Sequence, residues 1–161
     1  MPFVLIIMGV SGTGKSTIGK ALSNKLSLPY FEGDEFHPAA NVEKMRQGIP
    51  LDDSDRVPWL LALRKQIELQ LEREESAVFA SSALKASYRE ILQREDKRVK
   101  FVYLDGSYEL ILERMRGRDH EYMPPSLLKS QFETLEEPED AIRVSIDQDV
   151  LSIVDEVISQ I

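Results

Sequence analysis

Cysteine is absent from the 161-residue chain. Its absence removes a disulfide framework, a thiol nucleophile and any cysteine-ligated metal, and it fits a reducing compartment. Long apolar runs are missing too. No stretch approaches the length that spans a bilayer. The apolar N-terminus, Met1–Met8, has no basic flank and no cleavage pattern, so a signal peptide is not expected. Positive charge is short: 20 Lys and Arg against 28 Asp and Glu leave a net charge of −8. A chain this acidic is a poor polyelectrolyte binder, which argues against nucleic acid as a partner. Internal repeats, low-complexity tracts and Gly-, Ser- or Pro-rich linkers are also absent. The expectation is a single cytoplasmic domain over residues 1–161 with no membrane partner.

What is present is a regular alternation of elements. Phe3–Met8 is a continuous apolar run ending at a glycine, the pattern of a strand buried on both faces. Lys15–Leu26 has helical spacing, with Ile18, Leu22 and Leu26 on one face. Pro29–Glu32 reads as a short strand, Asn41–Arg46 as a short helix, and Arg56–Glu72 as a long helix with Leu60, Leu63, Ile67 and Leu71 on one stripe. Asp52, Asp53 and Asp55 sit at its start, where the helix dipole favours anions. Strands at Ala77–Ser81, Val99–Leu104 and Ile142–Ile146 alternate with helices at Lys85–Arg94, Tyr108–Arg116, Ser126–Leu135 and Val150–Ile161. Such alternation predicts an α/β fold: a parallel sheet of about five strands covered by helices on both faces.

The strongest local signal is Gly9-Val10-Ser11-Gly12-Thr13-Gly14-Lys15-Ser16, a full match to G-x-x-x-x-G-K-S/T. It lies between a predicted strand and a predicted helix, as its mechanism requires. Glycines let backbone N–H groups turn inward around phosphate oxygens. Lys15 adds a point charge, the Ser16 hydroxyl can bind Mg²⁺, and the helix N-terminus favours the anion. The nucleotide grip is placed at Gly9–Thr17, with Ser11, Gly12, Thr13, Gly14, Lys15, Ser16 and Thr17 as cofactor-binding residues for ATP. A guanine signature is lacking: Asn24-Lys25-Leu26-Ser27 has no aspartate, and no apolar strand ends in D-x-x-G. A small-molecule kinase is favoured. An ATP-hydrolysing regulator without acceptor remains the competing class.

Asp34 follows the second strand, at the sheet end that faces a ligand crevice in parallel sheets. A carboxylate there can take the proton of an attacking hydroxyl. His37 is a weaker acceptor-site candidate. Arg114, Arg116 and Arg118 cluster before a polar stretch, Gly117–Pro125. Arg114 and Arg118 are candidates to reach the transferring phosphoryl from a mobile lid at residues 114–126. Asp147 and Gln148, past the last strand, are candidates to border the adenine.

The chain also resembles a known family. Gly33-Asp34-Glu35-Phe36-His37-Pro38, Asn41-Val42-Glu43-Lys44-Met45 and Gly48 through Leu60, with its D-R-V-P-W-L block, resemble the gluconate kinases. So do Ser82-Ala83-Leu84-Lys85 with Tyr88-Arg89, Phe101-Val102-Tyr103-Leu104 and Leu127 through Glu136. The resemblance implies the fold of the nucleoside monophosphate and shikimate kinases. It implies γ-phosphoryl transfer from ATP to D-gluconate with Mg²⁺, and a cytoplasmic homodimer. It makes Asp34, His37, Arg56, Ser82, Lys85 and Arg89 acceptor-site candidates and places a substrate-binding insertion at about residues 34–58. Two departures stand out. Ser81 replaces a frequent cysteine, and Arg118-Asp119-His120-Glu121-Tyr122-Met123 alters the spacing around its histidine. A shikimate- or nucleotide-type acceptor is the alternative.

Overall fold

A computed structural model describes residues 1–116 and 125–161. Five parallel strands form one sheet: β1 (Val4–Met8), β2 (Tyr30–Glu32), β3 (Ala77–Ala80), β4 (Val99–Asp105) and β5 (Ile142–Ser145). Their spatial order is β2-β3-β1-β4-β5, which puts β1 at the centre. The helices are α1 (Lys15–Leu26), α2 (Ala39–Arg46), α3 (Asp53–Glu72), α4 (Ala86–Gln93), α5 (Tyr108–Arg116), α6 (Pro125–Thr134) and α7 (Val150–Gln160). None among the described residues is long and apolar enough to cross a membrane.

The alternation of side chains along β1 divides the core in two. Leu5 and Ile7 face Ile18 and Leu22 of α1, Ile111 and Met115 of α5, Leu128 of α6, and Ile153, Val154 and Val157 of α7. Val4, Ile6 and Met8 face the other way, onto Trp59, Leu60, Leu63, Ile67 and Leu71 of α3 and Tyr88 and Leu92 of α4. Every residue of β1 is fully buried, so the unbroken apolar run is a consequence of having helices on both sides. The loops carrying polar residues therefore emerge together at the carboxyl ends of the strands.

Expected boundaries hold to within a few residues, with one instructive difference. Helix α3 starts at Asp53, three residues before the expected Arg56. The cause is a reciprocal cap: the Asp55 N–H donates to Asp52 Oδ1 at 2.8 Å, and the Asp52 N–H donates to Asp55 Oδ2 at 3.1 Å. That extra turn leaves Pro58 inside the helix. Between β2 and α2, Gly33–Phe36 form a 3₁₀ turn.

Candidate active site

The phosphate loop runs from β1 into α1. Gly12 has φ +84°, and a Cβ there would lie 2.9 Å from Ile111 Cγ2, so only glycine lets the loop pass under α5. Buried Thr13 spends its hydroxyl on the Val10 carbonyl at 2.9 Å, latching the loop from inside. The Lys15 ammonium donates to the carbonyls of Gly9 and Val10, both at 3.0 Å. Burial lowers its pKa to about 8, against the upward pull of the Asp34 and Glu32 carboxylates. An anion in the loop would supply the negative charge this ammonium lacks. Thr17, placed in the grip by sequence, has an exposed side chain one turn into α1.

Glu32 is a site residue that the sequence reading left as a strand end. Ser16 donates its hydroxyl to Glu32 Oε2 at 2.6 Å, and Tyr30 donates to the same oxygen at 2.6 Å. Burial and the hydrogen bond to Glu32 push the Tyr30 phenol well above its usual pKa. A hydroxyl and a carboxylate side by side at the phosphate loop are hard oxygen donors, the kind Mg²⁺ takes alongside substrate phosphates. The signal was available in sequence as two carboxylates flanking Gly33.

Gly33 explains how Asp34 is placed. A Cβ at Gly33 would sit 2.2 Å from the Ala80 carbonyl, so the chain passes hard against the end of β3. Asp34 then emerges exposed on the following turn, and its charge acts on both Lys15 and His37. The His37 ring stacks on Trp59 at 4.3 Å and 14°. Burial lowers the His37 pKa; Asp34 opposes the shift and Arg56 adds to it, which favours the neutral ring. The Asn41 amide donates to the Asp55 carbonyl at 2.8 Å and lies 3.2 Å from His37 Nδ1. That network assigns Nδ1 as acceptor and leaves Nε2–H as a donor. Trp59 packs in the core, as its helical position suggests, and also donates its indole N–H to the Gly33 carbonyl at 2.8 Å.

Arg56 and Lys85 meet around Tyr88. Arg56 Nη1 donates to the Tyr88 hydroxyl at 3.2 Å, and both cations lie over the ring, at 5.7 and 5.6 Å from its centroid. Lys85 Nζ holds the two Asp53 carboxylate oxygens at 3.0 and 3.1 Å, and the Tyr88 hydroxyl donates to the same carboxylate. Tyr88 and Lys85 hold the Asp53 carboxyl below its usual pKa. A carboxylate therefore already sits on this cationic group, and it is the protein's own. In sequence Tyr88 stands only as part of the family-like segment Tyr88-Arg89, with no site role.

Two candidate cations have other partners in this structure. Arg89 is buried, and it donates to the carbonyls of Ala83 at 2.7 Å, Leu84 at 3.1 Å and Glu136 at 2.7 Å. It pins the loop after β3. Arg114 donates to the Ile146 carbonyl at 2.6 Å, which puts it beside the Asp147–Gln148 loop after β5. Ser82 is half-buried, and its carbonyl accepts from the Gly9 N–H at 3.3 Å. Buried Ser81 Oγ has no hydrogen-bond partner among the described residues. Arg118 and His120 lie outside the described residues, as does most of the segment expected to be a lid.

Comparison with known proteins agrees with this geometry. The sequence model of the shikimate kinase family matches residues 11–159. The chain is 44% identical over 155 residues to the thermosensitive gluconokinase of Escherichia coli K12, covering 94% of this chain and 83% of that one. It is 46% identical over 147 residues to a gluconokinase of Gluconobacter oxydans, covering 89% and 83%. A solved gluconokinase structure from Sinorhizobium meliloti superposes with a TM-score of 0.88 at 41% identity, covering 98% of this chain and 90% of that one. Phosphate loop, acceptor-side carboxylates and whole-chain similarity converge, and the chain belongs to the gluconokinase family of P-loop kinases.

Proposed function

We propose that this protein transfers the γ-phosphoryl group of ATP to D-gluconate, giving 6-phosphogluconate and ADP. The observation that supports the acceptor is the Arg56–Lys85–Tyr88 group, which already holds the Asp53 carboxylate, and whose Arg56, like Asp34, acts by its charge on His37. Gluconate is a linear chain with a carboxylate at one end and a primary hydroxyl at the other. Its carboxylate suits Arg56 and Lys85, since charge-assisted bonds of this kind are strong and directional. On this reading His37 Nε2–H and Ser82 meet hydroxyls along the chain. Asp34 meets the reacting hydroxyl.

In the transfer, the acceptor oxygen forms a bond to the γ-phosphorus as the bond from that phosphorus to the β,γ-bridging oxygen breaks. The bridging oxygen keeps the electron pair and leaves on ADP. The hydroxyl proton passes to Asp34. Lys15 and the N–H groups of Gly12–Ser16 stabilise the charge on the phosphates. Ser16 and Glu32 would hold Mg²⁺, which supplies charge neutralisation and orientation of the phosphate oxygens when bound. Arg89 acts by fixing the loop that carries Ser82 and Lys85. Arg114 and Arg118 are the candidates to reach the transferring phosphoryl from a lid at about residues 114–126, while residues 34–58 carry the acceptor-binding insertion. The enzyme works as a cytoplasmic homodimer on this reading, supported by the cysteine-free composition for the compartment. Sedimentation velocity tests the dimer.

The acceptor is tested by measuring ADP release with gluconate, glucose and shikimate. A kcat/KM for gluconate far above the other two is expected, because a site built to pair buried polar groups rejects ligands that leave them unpaired. Equal efficiency with glucose or shikimate would overturn the acceptor assignment. ADP release indifferent to all three would favour the regulator without acceptor.

A further inference from the structure

The Ser11 N–H belongs to the phosphate loop, yet a protein atom already occupies it. Gln131 Oε1 accepts from it at 2.7 Å, reaching across 120 residues of sequence. Gln131 lies on α6, half-buried, one turn after the fully buried Leu128 that anchors this helix in the core. The helix is also held downstream. The Glu136 N–H donates to the Leu84 carbonyl at 2.8 Å, and Glu136 Oε1 accepts from the Ala86 N–H at 2.7 Å. Gln131 is thus fixed at both ends of its segment and is not a loose surface amide.

The hydrogen bond also fixes how the amide is turned. A backbone N–H must face an acceptor, so Oε1 lies toward Ser11 and Nε2 lies away from it. No bond to Nε2 is found among the described residues. The Ser11 N–H is therefore consumed, and the amide that consumes it carries an NH₂ on the same carbon, within one side-chain group of the phosphate loop.

We infer that Gln131 is a further catalytic residue of the phosphoryl transfer, with Oε1 anchored on Ser11 and Nε2 donating to an oxygen of the terminal phosphoryl group. A neutral donor suits that place, since it follows charge as it spreads over the equatorial oxygens without competing with Lys15. The contact is made to the γ- and not the β-phosphoryl, so it distinguishes ATP from ADP.

Two substitutions in the full-length enzyme separate this role from a tether. Gln131→Glu keeps an acceptor for Ser11 but replaces the donor by a negative charge. Gln131→Ala removes both. Turnover at saturating ATP and gluconate, affinities for ATP and ADP by calorimetry, and melting temperature are measured for each. The expected result is a loss of kcat of about tenfold or more for alanine, since a hydrogen bond to a charged group is removed, and a larger loss for glutamate. ATP affinity falls in both, while ADP affinity and melting temperature stay near those of the parent. Parental kcat in Gln131→Glu with a loss only in Gln131→Ala would reduce Gln131 to a tether and overturn the inference. So would parental kcat in both variants, or an equal weakening of ATP and ADP.

Discussion

The two ends of the cleft are built by different means. At the nucleotide end the ligand-facing groups are mostly backbone, held between the buried strand β1 and helix α1, with buried Thr13 latching the loop. At the proposed acceptor end the candidate groups are side chains on separate segments: Asp34 after β2, His37 before α2, Arg56 on α3, and Lys85 and Tyr88 around the start of α4. A backbone site needs its residue types in a fixed contiguous order, because each glycine must permit one local conformation. A side-chain site needs only that distant segments fold together. The nucleotide end should accordingly fail all at once when Lys15 is removed, and the acceptor end should degrade piece by piece.

The largest effect is expected for Lys15→Ala, with kcat falling on the order of a hundredfold to a thousandfold in the ADP-release assay. A variant with near-parental turnover would break the comparison at its stronger end. Asp34→Asn is next. Turnover should drop about tenfold to a hundredfold, less than a strong general base would give because the transition state is loose. ATP affinity should be nearly unchanged, and a loss confined to ATP binding would move Asp34 to the nucleotide side. Lys85→Ala should raise KM for gluconate about tenfold, as loss of a charge-assisted bond does, and leave KM for ATP within about twofold.

The lowered pKa of Lys15 gives a gentler, graded effect. Without nucleotide the ammonium loses its proton around pH 8, and phosphate contact raises that pKa again. Binding ATP therefore takes up a proton above about pH 8, and affinity should weaken as pH rises through that region. Calorimetry in buffers of different ionisation enthalpy reads the uptake directly; proton release, or none at pH 8.5, would contradict the assignment. The smallest effect is expected for Trp59→Phe, which keeps the ring but strands the buried Gly33 carbonyl. A loss of about 1–3 kcal/mol of stability is expected, with a modest rise in KM for gluconate.

The same contrast governs what could be read from sequence. The sheet, its helices and the phosphate loop were legible because apolar periodicity and a contiguous motif carry them. The 3₁₀ turn after β2 was not, because it arises from the close approach of Gly33 to Ala80, a contact across 47 residues. Glu32 was in view but unassigned: nothing local says that a strand-end carboxylate will meet Ser16, since α1 must first fold back over β2. Tyr88 carried no site role in sequence, because its hydroxyl joins Arg56 and Asp53 from another helix. Arg89 was a candidate through the family resemblance, and Arg114 as one of an arginine cluster before a polar stretch. Whether such a guanidinium faces a ligand or a backbone carbonyl depends on which loop packs over it, here the Glu136 strap and the turn after β5.

The most direct test of the account is to follow the label of γ-phosphorus-labelled ATP into product. With gluconate present, the account predicts stoichiometric transfer to the primary hydroxyl of gluconate, with ADP formed in equal amount and little free phosphate. Label appearing mainly as inorganic phosphate, at a rate independent of gluconate, would contradict it.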